Sequence, residues 1–262
     1  MKRNLKLSCN YSAALVQLVK DEAARIDAIE WVWVNDLDTI AETREALPDM
    51  PFTYHPGRAQ FNPAYIEELN NYLSLCDSAP WLSFNLSPLP NFNLISAIRH
   101  NLYVPSPPAK MAINRFIKGI LKIKSHFQLP VILKNMPVLF PGAFRYETDP
   151  GVIKEILEET DSKFLLDLPH AAMAAEDRNI SVRDYLRSLP MDKVVQIHVT
   201  GVRRDLQTGR SLDSHHSLQE EDYSLLNWCL SNSHPEWITL EYFNESAEII
   251  SSQLERLNNF LR

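Results

Sequence analysis

The sequence predicts an α/β chain closed into a single (β/α)8 barrel, and three observations carry that prediction. Short apolar runs alternate with amphipathic stretches eight times along the chain, the pattern of a parallel sheet with crossover helices. The 262 residues match the length of one such barrel, about 250 residues. With only 6 glycines and no GxGxxG, the chain lacks the Gly-rich first turn that an open doubly wound nucleotide-binding sheet normally carries. One domain over residues 1–262 is expected.

The apolar runs, in order, are LKLSC (5–9), AIEWVWV (28–34), PFTYH (51–55), WLSFNLS (81–87), PVILKN (130–135), KFLLDL (163–168), VVQIHVT (194–200) and WITLEYF (237–243). Several are rich in β-branched and aromatic residues and follow Pro or a polar turn, as strands do. Between them, YSAALVQLVKDEAARI places Ala14, Leu15, Leu18 and Val19 on one face of a helix. PAYIEELNNYLSL, PPAKMAINRFIKGILKIKSHF, DPGVIKEILEET, SVRDYLRSL, LQEEDYSLLNWCL and SAEIISSQLERLNNFL show the same helical spacing. Pro107-Pro108 and Asp149-Pro150 read as helix starts, because proline is tolerated in the first turn. Residues 88–106 form an unusually long connection with two aromatics, Phe92 and Tyr103. A loop over the C-terminal face or one packed on the rim both fit this length.

Composition narrows the function classes. The balance of 26 Lys and Arg against 33 Asp and Glu gives a net charge of -7, which argues against a broad nucleic-acid footprint. Cys9, Cys76 and Cys229 are odd in number and share no CxxC spacing, as expected of reduced thiols in a cytoplasmic protein. No apolar run approaches the ~20 residues needed to span a bilayer, and the basic start lacks the apolar core of a signal peptide.

The chemistry gathers at the strand ends, where a barrel builds its site. These ends carry His55, Asn85, Asn135, Asp167, His198 and Glu241, with Lys134 one residue before Asn135. His170 follows the sixth strand, and LDSHH after the seventh adds Asp213, His215 and His216. A buried charge such as Asp167, at the end of FLLD, needs a partner. Carboxylates mixed with imidazoles and no thiolate suit zinc, manganese or non-heme iron. Each residue alone has a bland reading, as a cap or an ion pair. His100, His126 and His234 keep it, and so does one of the adjacent pair His215 and His216.

At these residues the chain resembles the xylose isomerase-like TIM barrels, and within them the multinuclear non-heme iron-dependent oxidases that include the methanobactin-biosynthesis oxidase. The pieces that carry the resemblance are LKNMP, LLDLPHAAMAA, DYLRSLPMDKVVQIHVTG, LDSHHSLQEEDYSLL and WITLEYF. It implies divalent metal at the barrel mouth, iron before zinc or manganese. Asp167, His198 and Glu241 would hold one ion, and His170, Asp213 and His215 a second. His55 would belong to a third site that is expected empty or weak. The family's strand-four histidine is Asn85 here, its strand-five glutamate is Lys134, and a cation opposes metal binding. The implied activity is oxidation of a peptide, typically at cysteine, with dioxygen. The peptide is either a free substrate or one presented by a partner protein.

Two other functions compete. A divalent-metal isomerase or epimerase would act on a small hydroxy-carbonyl compound, with Glu241 or Lys134 shuttling a proton. Burial would lower the pKa of Lys134 for that role, and Arg203, Arg204 and Arg210 would take an anionic group or simply face Asp205 and Asp213 in a solvated loop. A degenerate barrel would bind without turnover. The acidic charge counts against a nuclease.

Overall fold

The inward and outward faces of each strand decide where the site lies. The computed structural model describes residues 5–32, 36–88, 106–138, 145–204, 207, 209–242 and 246–262. The expected loop 88–106, with Phe92 and Tyr103, lies outside these residues except at its two ends. The barrel strands are β1 Lys6–Asn10, β2 Ala28–Val32, β3 Phe52–His55, β4 Gly57–Arg58, β5 Leu82–Asn85, β6 Val131–Lys134, β7 Lys163–Asp167, β8 Val194–Val199 and β11 Trp237–Leu240. They pair in the order β3-β2-β1-β11-β8-β7-β6-β5-β4, every pair parallel. The two edges of this sheet, β3 and β4, are one extended segment broken at Pro56. Proline has no N–H to give a ladder, so the segment pairs with β2 before the break and with β5 after it. The sheet thereby closes into eight strands.

Alternation along each strand sorts the side chains. Leu7, Cys9, Ile29, Trp31, Phe52, Tyr54, Leu82, Phe84, Leu133, Leu166, Ile197 and Leu240 join the main core, packed between sheet and helices. The opposite parity points into the barrel, where Ala28, Trp81, Ile132, Leu165 and Trp237 form a separate apolar plug. Two residues further along the same parity stand Glu30, Ser83, Lys134, Asp167, His198 and Thr239, all buried. This period of two converts an apolar floor into a polar layer one step nearer the strand ends.

The helices are α1 Ala13–Lys20, α2 Leu37–Ala46, α3 Pro63–Leu75, α4 Pro107–Phe127, α5 Pro150–Glu159, α6 Leu168–Asp177, α7 Val182–Ser188, α8 Glu220–Asn232 and α9 Ala247–Leu261. Ser12, Asp36, Asn62, Ser106, Asp149, Ser181 and Ser246 each cap one of them by accepting from a backbone N–H. Such caps satisfy donors that the first turn leaves orphaned. At α5 the Asp149 carboxylate takes the N–H groups of Gly151 and Val152 at 2.9 and 3.4 Å. Asp149→Ala is expected to cost about 1 kcal/mol, read as a shift in the urea midpoint at constant slope.

Two helices carry no sequence periodicity strong enough to reveal them. In α2 only Ile40 and Thr43 are buried, too narrow a stripe to register. In α6 the opposite holds: Leu168, Pro169, His170, Ala171, Met173, Ala174 and Ala175 are all buried, so no polar face marks the period. The segment expected as a solvated loop after β8 is an antiparallel hairpin, β9 Gly201–Arg204 with β10 Ser211–His216. Among the described residues, its arginines find partners within the hairpin and on α6. Arg203 donates to the carbonyls of Val202 and Ser217 at 2.8 and 2.7 Å. Arg204 and Arg210 reach Glu176 and Asp177 at the end of α6, at 3.8 and 3.9 Å, and pin the hairpin to that helix.

Candidate active site

Lys134 is the centre of the buried layer. Its Nζ lies 2.9 Å from Asp167 Oδ2 and 2.9 Å from Glu241 Oε1, and 3.2 Å from His198 Nδ1. Burial by itself would lower the pKa of this ammonium, but the Asp167 and Glu241 carboxylates outweigh it and hold the group above its ordinary value. The expected lowered pKa is therefore reversed: an amine clamped by two carboxylates stays protonated and accepts no proton.

His198 is held from both sides. Its Nδ1 is 2.8 Å from Glu241 Oε1 and its Nε2 is 3.1 Å from Glu30 Oε2. Burial opposes its protonation, yet Glu30 and Glu241 raise its pKa to about 9. Glu30 is further fixed by Gln196, which donates 2.7 Å bonds to Glu30 Oε1 and to Thr239 Oγ1 and accepts from Trp81 Nε1 at 3.1 Å. Among the described residues Glu30, His198 and Glu241 form a cluster with metal-ligand atom types within 4.8 Å of one another. Glu30 is the site residue that sequence reading missed. Its signal was present: a lone acid inside AIEWVWV is as costly to bury unpaired as Asp167.

The sign of the His198 shift sets a pH window. Its pKa rises from 6.5 to about 9 on folding, so the native state binds the proton more tightly than the unfolded chain. The stabilisation is complete below about pH 6.5 and is lost as pH climbs through about 9. In chelator-treated protein the urea midpoint is expected to fall across that window, with His198→Gln flattening the slope.

Asp167 joins the buried layer to a second group nearer the rim. It caps α6, with Oδ1 accepting from the His170 N–H at 2.9 Å. Asn135 holds its backbone, Oδ1 accepting from Asp167 N at 2.8 Å and Nδ2 donating to Asp167 O at 3.0 Å. The His170 ring meets the Asn135 carbonyl through Nδ1 at 2.7 Å. A carbonyl only accepts, so Nδ1 carries the hydrogen and Nε2 is the atom aimed outward. Nε2 lies 3.0 Å from Asp213 Oδ2, and His215 Nε2 lies 3.5 Å from Asp213 Oδ1. The structure thus brings His170, Asp213 and His215 together, with Asp213 and His215 20% and 21% exposed. Asp213 is held below its usual carboxylate range despite burial, chiefly by His170.

His215 stands at an irregularity of β10, where the register shifts between Leu212 and His216, and its φ of 49° is left-handed. A non-glycine residue rarely adopts this conformation without a reason in its surroundings. The same kink leaves neighbouring His216 exposed. His215→Gly is expected to keep or raise the unfolding midpoint while weakening divalent-metal binding, a split that isothermal titration and denaturation together resolve. His55 borders the buried layer rather than the rim group. Its Nδ1 bonds Ser83 Oγ at 2.8 Å, its ring packs edge-on to His198 at 5.9 Å, and burial together with Lys134 lowers its pKa to about 3. Asn85 ends β5 in register with Lys134.

Both groups carry donor types that divalent metals take, and they differ in what already stands among the donors. Two imidazoles and a carboxylate on the rim suit zinc, manganese or iron. In the buried layer the inward-facing donors already surround an ammonium, which has no lone pair to offer a metal.

The family described as RiPP precursor modification enzyme MbnB/TglH/ChrH matches residues 58–258. A UPF0276 protein of Vibrio parahaemolyticus is 23% identical over 171 residues, 59% of each chain. A second, of Psychromonas ingrahamii, is 26% identical over 109 residues, 40% of this chain and 38% of its own. The chain therefore spans less than two thirds of these relatives' length. Among solved structures, a D-tagatose 3-epimerase-like protein aligns with a TM-score of 0.62 at 17% identity, covering 98% of this chain and 97% of its own. A xylose isomerase-like TIM barrel protein from Mycobacterium smegmatis, solved with magnesium, aligns at 0.59 and 13% identity, covering 100% and 98%. No helix among the described residues is long and apolar enough to cross a membrane. With strand order, closure and family match in agreement, this chain belongs to the MbnB/TglH/ChrH family of RiPP precursor modification enzymes, built on a xylose isomerase-like TIM barrel.

Proposed function

We propose that the protein, acting as a single domain, oxidises a peptide at the barrel mouth with one divalent metal held by His170, Asp213 and His215. The observation that carries this is the His170 ring. Its Nδ1–H is committed to the Asn135 carbonyl at 2.7 Å, so its Nε2 lone pair faces the Asp213 carboxylate at 3.0 Å. Two lone-pair-bearing atoms so close need a cation between them. In the metal-free protein a proton can take that place, and Asp167 and then Asp213 favour it by raising the His170 pKa against the opposing effect of burial. A ligating histidine whose other nitrogen donates to a backbone carbonyl is the usual way a site fixes ring orientation. Iron bound there would supply the redox chemistry with dioxygen, which redox-inert zinc would not.

The chain's own residues do the rest. Asn135 holds both the His170 ring and the Asp167 backbone. Asp167 caps α6, and Lys134, Glu241 and Glu30 keep charged groups fixed beneath the rim. Partial exposure of Asp213 and His215 leaves the approach from solvent on that side, where a peptide would dock. The isomerase reading loses its lysine base, because Lys134 is held protonated by two carboxylates.

The test is anaerobic purification, metal analysis, and incubation with a cysteine-bearing precursor-like peptide under air. The expected result is a mass change in the peptide that requires both iron and oxygen and disappears in His170→Ala. A peptide left unchanged by the iron-loaded protein would favour a barrel that binds without turnover.

A further inference from the structure

We propose that the Lys134 ammonium is a resident cation standing in the place of a divalent ion, and that Asp167, Glu241 and His198 form a latent metal site that opens when Lys134 is shortened. Three observations support this. Nζ is ringed by Asp167 Oδ2, Glu241 Oε1 and His198 Nδ1 at 2.9, 2.9 and 3.2 Å, two carboxylate oxygens and one imidazole nitrogen, the donor types that divalent zinc or manganese takes. The far nitrogen of that imidazole faces Glu30 at 3.1 Å, the outer carboxylate that orients a ligating histidine in metal sites. Glu30 is in turn fixed by Gln196 at 2.7 Å, so the orienting partner stays in place whether or not Lys134 is present. All the donors are buried, which leaves their charge to be balanced from within.

The inference goes beyond the peptide reading and does not need it. The rim group of His170, Asp213 and His215 is made of other residues, so either idea can fail alone.

The experiment uses full-length, chelator-treated protein titrated with Co2+, followed by calorimetric stoichiometry, visible absorption and thermal melting. Wild type, Lys134→Ala, Lys134→Met and the double variant Lys134→Ala/Glu241→Gln are compared. The expected result is one more Co2+ site in Lys134→Ala than in wild type, with the lowered melting temperature recovered on binding. The methionine variant fills the space and the double variant loses a ligand, so neither gains the site. An equal number of sites in wild type and Lys134→Ala overturns the proposal, and so does a gain that persists in the double variant. If Lys134→Ala does not fold with or without Co2+, Glu241→Gln in the wild-type background decides. Unchanged stoichiometry supports a resident ammonium, and loss of one Co2+ overturns it.

Discussion

Replacing Lys134 by methionine is expected to destabilise the fold by about 3–5 kcal/mol, the usual cost of removing one partner from a buried ion pair. The volume is nearly conserved, so the loss is electrostatic rather than a packing defect. Asp167 and Glu241 are 0% and 4% exposed at their side chains, and each would lose a 2.9 Å cation. His198 would remain as the group within hydrogen-bond distance of both Glu30 and Glu241. Two carboxylates left without their ammonium at this depth must take up protons or open the barrel mouth. The midpoint of Lys134→Met in urea should therefore drop steeply at neutral pH and recover in part as the solution is acidified, because protonating Asp167 and Glu241 removes the unpaired charge. A midpoint within error of wild type would show that the carboxylates do not depend on this lysine.

Asp213→Ala should have the second large effect, on function rather than stability. Asp213 is partly exposed and joins His170 to His215 through its two oxygens, so it is the one residue common to both contacts. Its removal leaves two imidazoles without the intervening carboxylate. Metal affinity is expected to fall by more than the roughly 10–100-fold that follows loss of an outer partner, and oxygen-dependent peptide modification should fall with it. The fold should change little, since the hairpin stays tied to α6 by Arg204 and Arg210. Equilibrium dialysis against Fe2+ and a peptide mass assay measure the two quantities. Retained turnover with the metal gone would remove metal from the reaction.

The eight strand runs were legible because each carries an apolar outward face, and Pro56 followed by left-handed Gly57 marks the extra break between β3 and β4. Asp167, Lys134, His198 and Glu241 were legible as residues because each ends a strand at the mouth. Their relation to one another was not. Glu30 sits on the same inward parity, one step after Ala28, but inside a run read only for its hydrophobicity. The hairpin β9–β10 was hidden because its strands are polar and half exposed, with no alternation against a core. Helix α6 was hidden for the opposite reason, being buried almost all round. The pKa direction of Lys134 needed distances. Burial alone lowers it, and only two carboxylates at 2.9 Å reverse the sign.

The central claim is that divalent metal binds at the rim while an ammonium fills the buried layer. The most direct measurement is elemental analysis of protein purified without oxygen or chelator, for wild type, Asp213→Ala and Glu241→Gln side by side. The predicted result is about one equivalent of metal in wild type, lost in Asp213→Ala and kept in Glu241→Gln. Two equivalents in wild type with one lost in Glu241→Gln would contradict it, as would a wild-type protein that neither holds nor takes up any divalent ion.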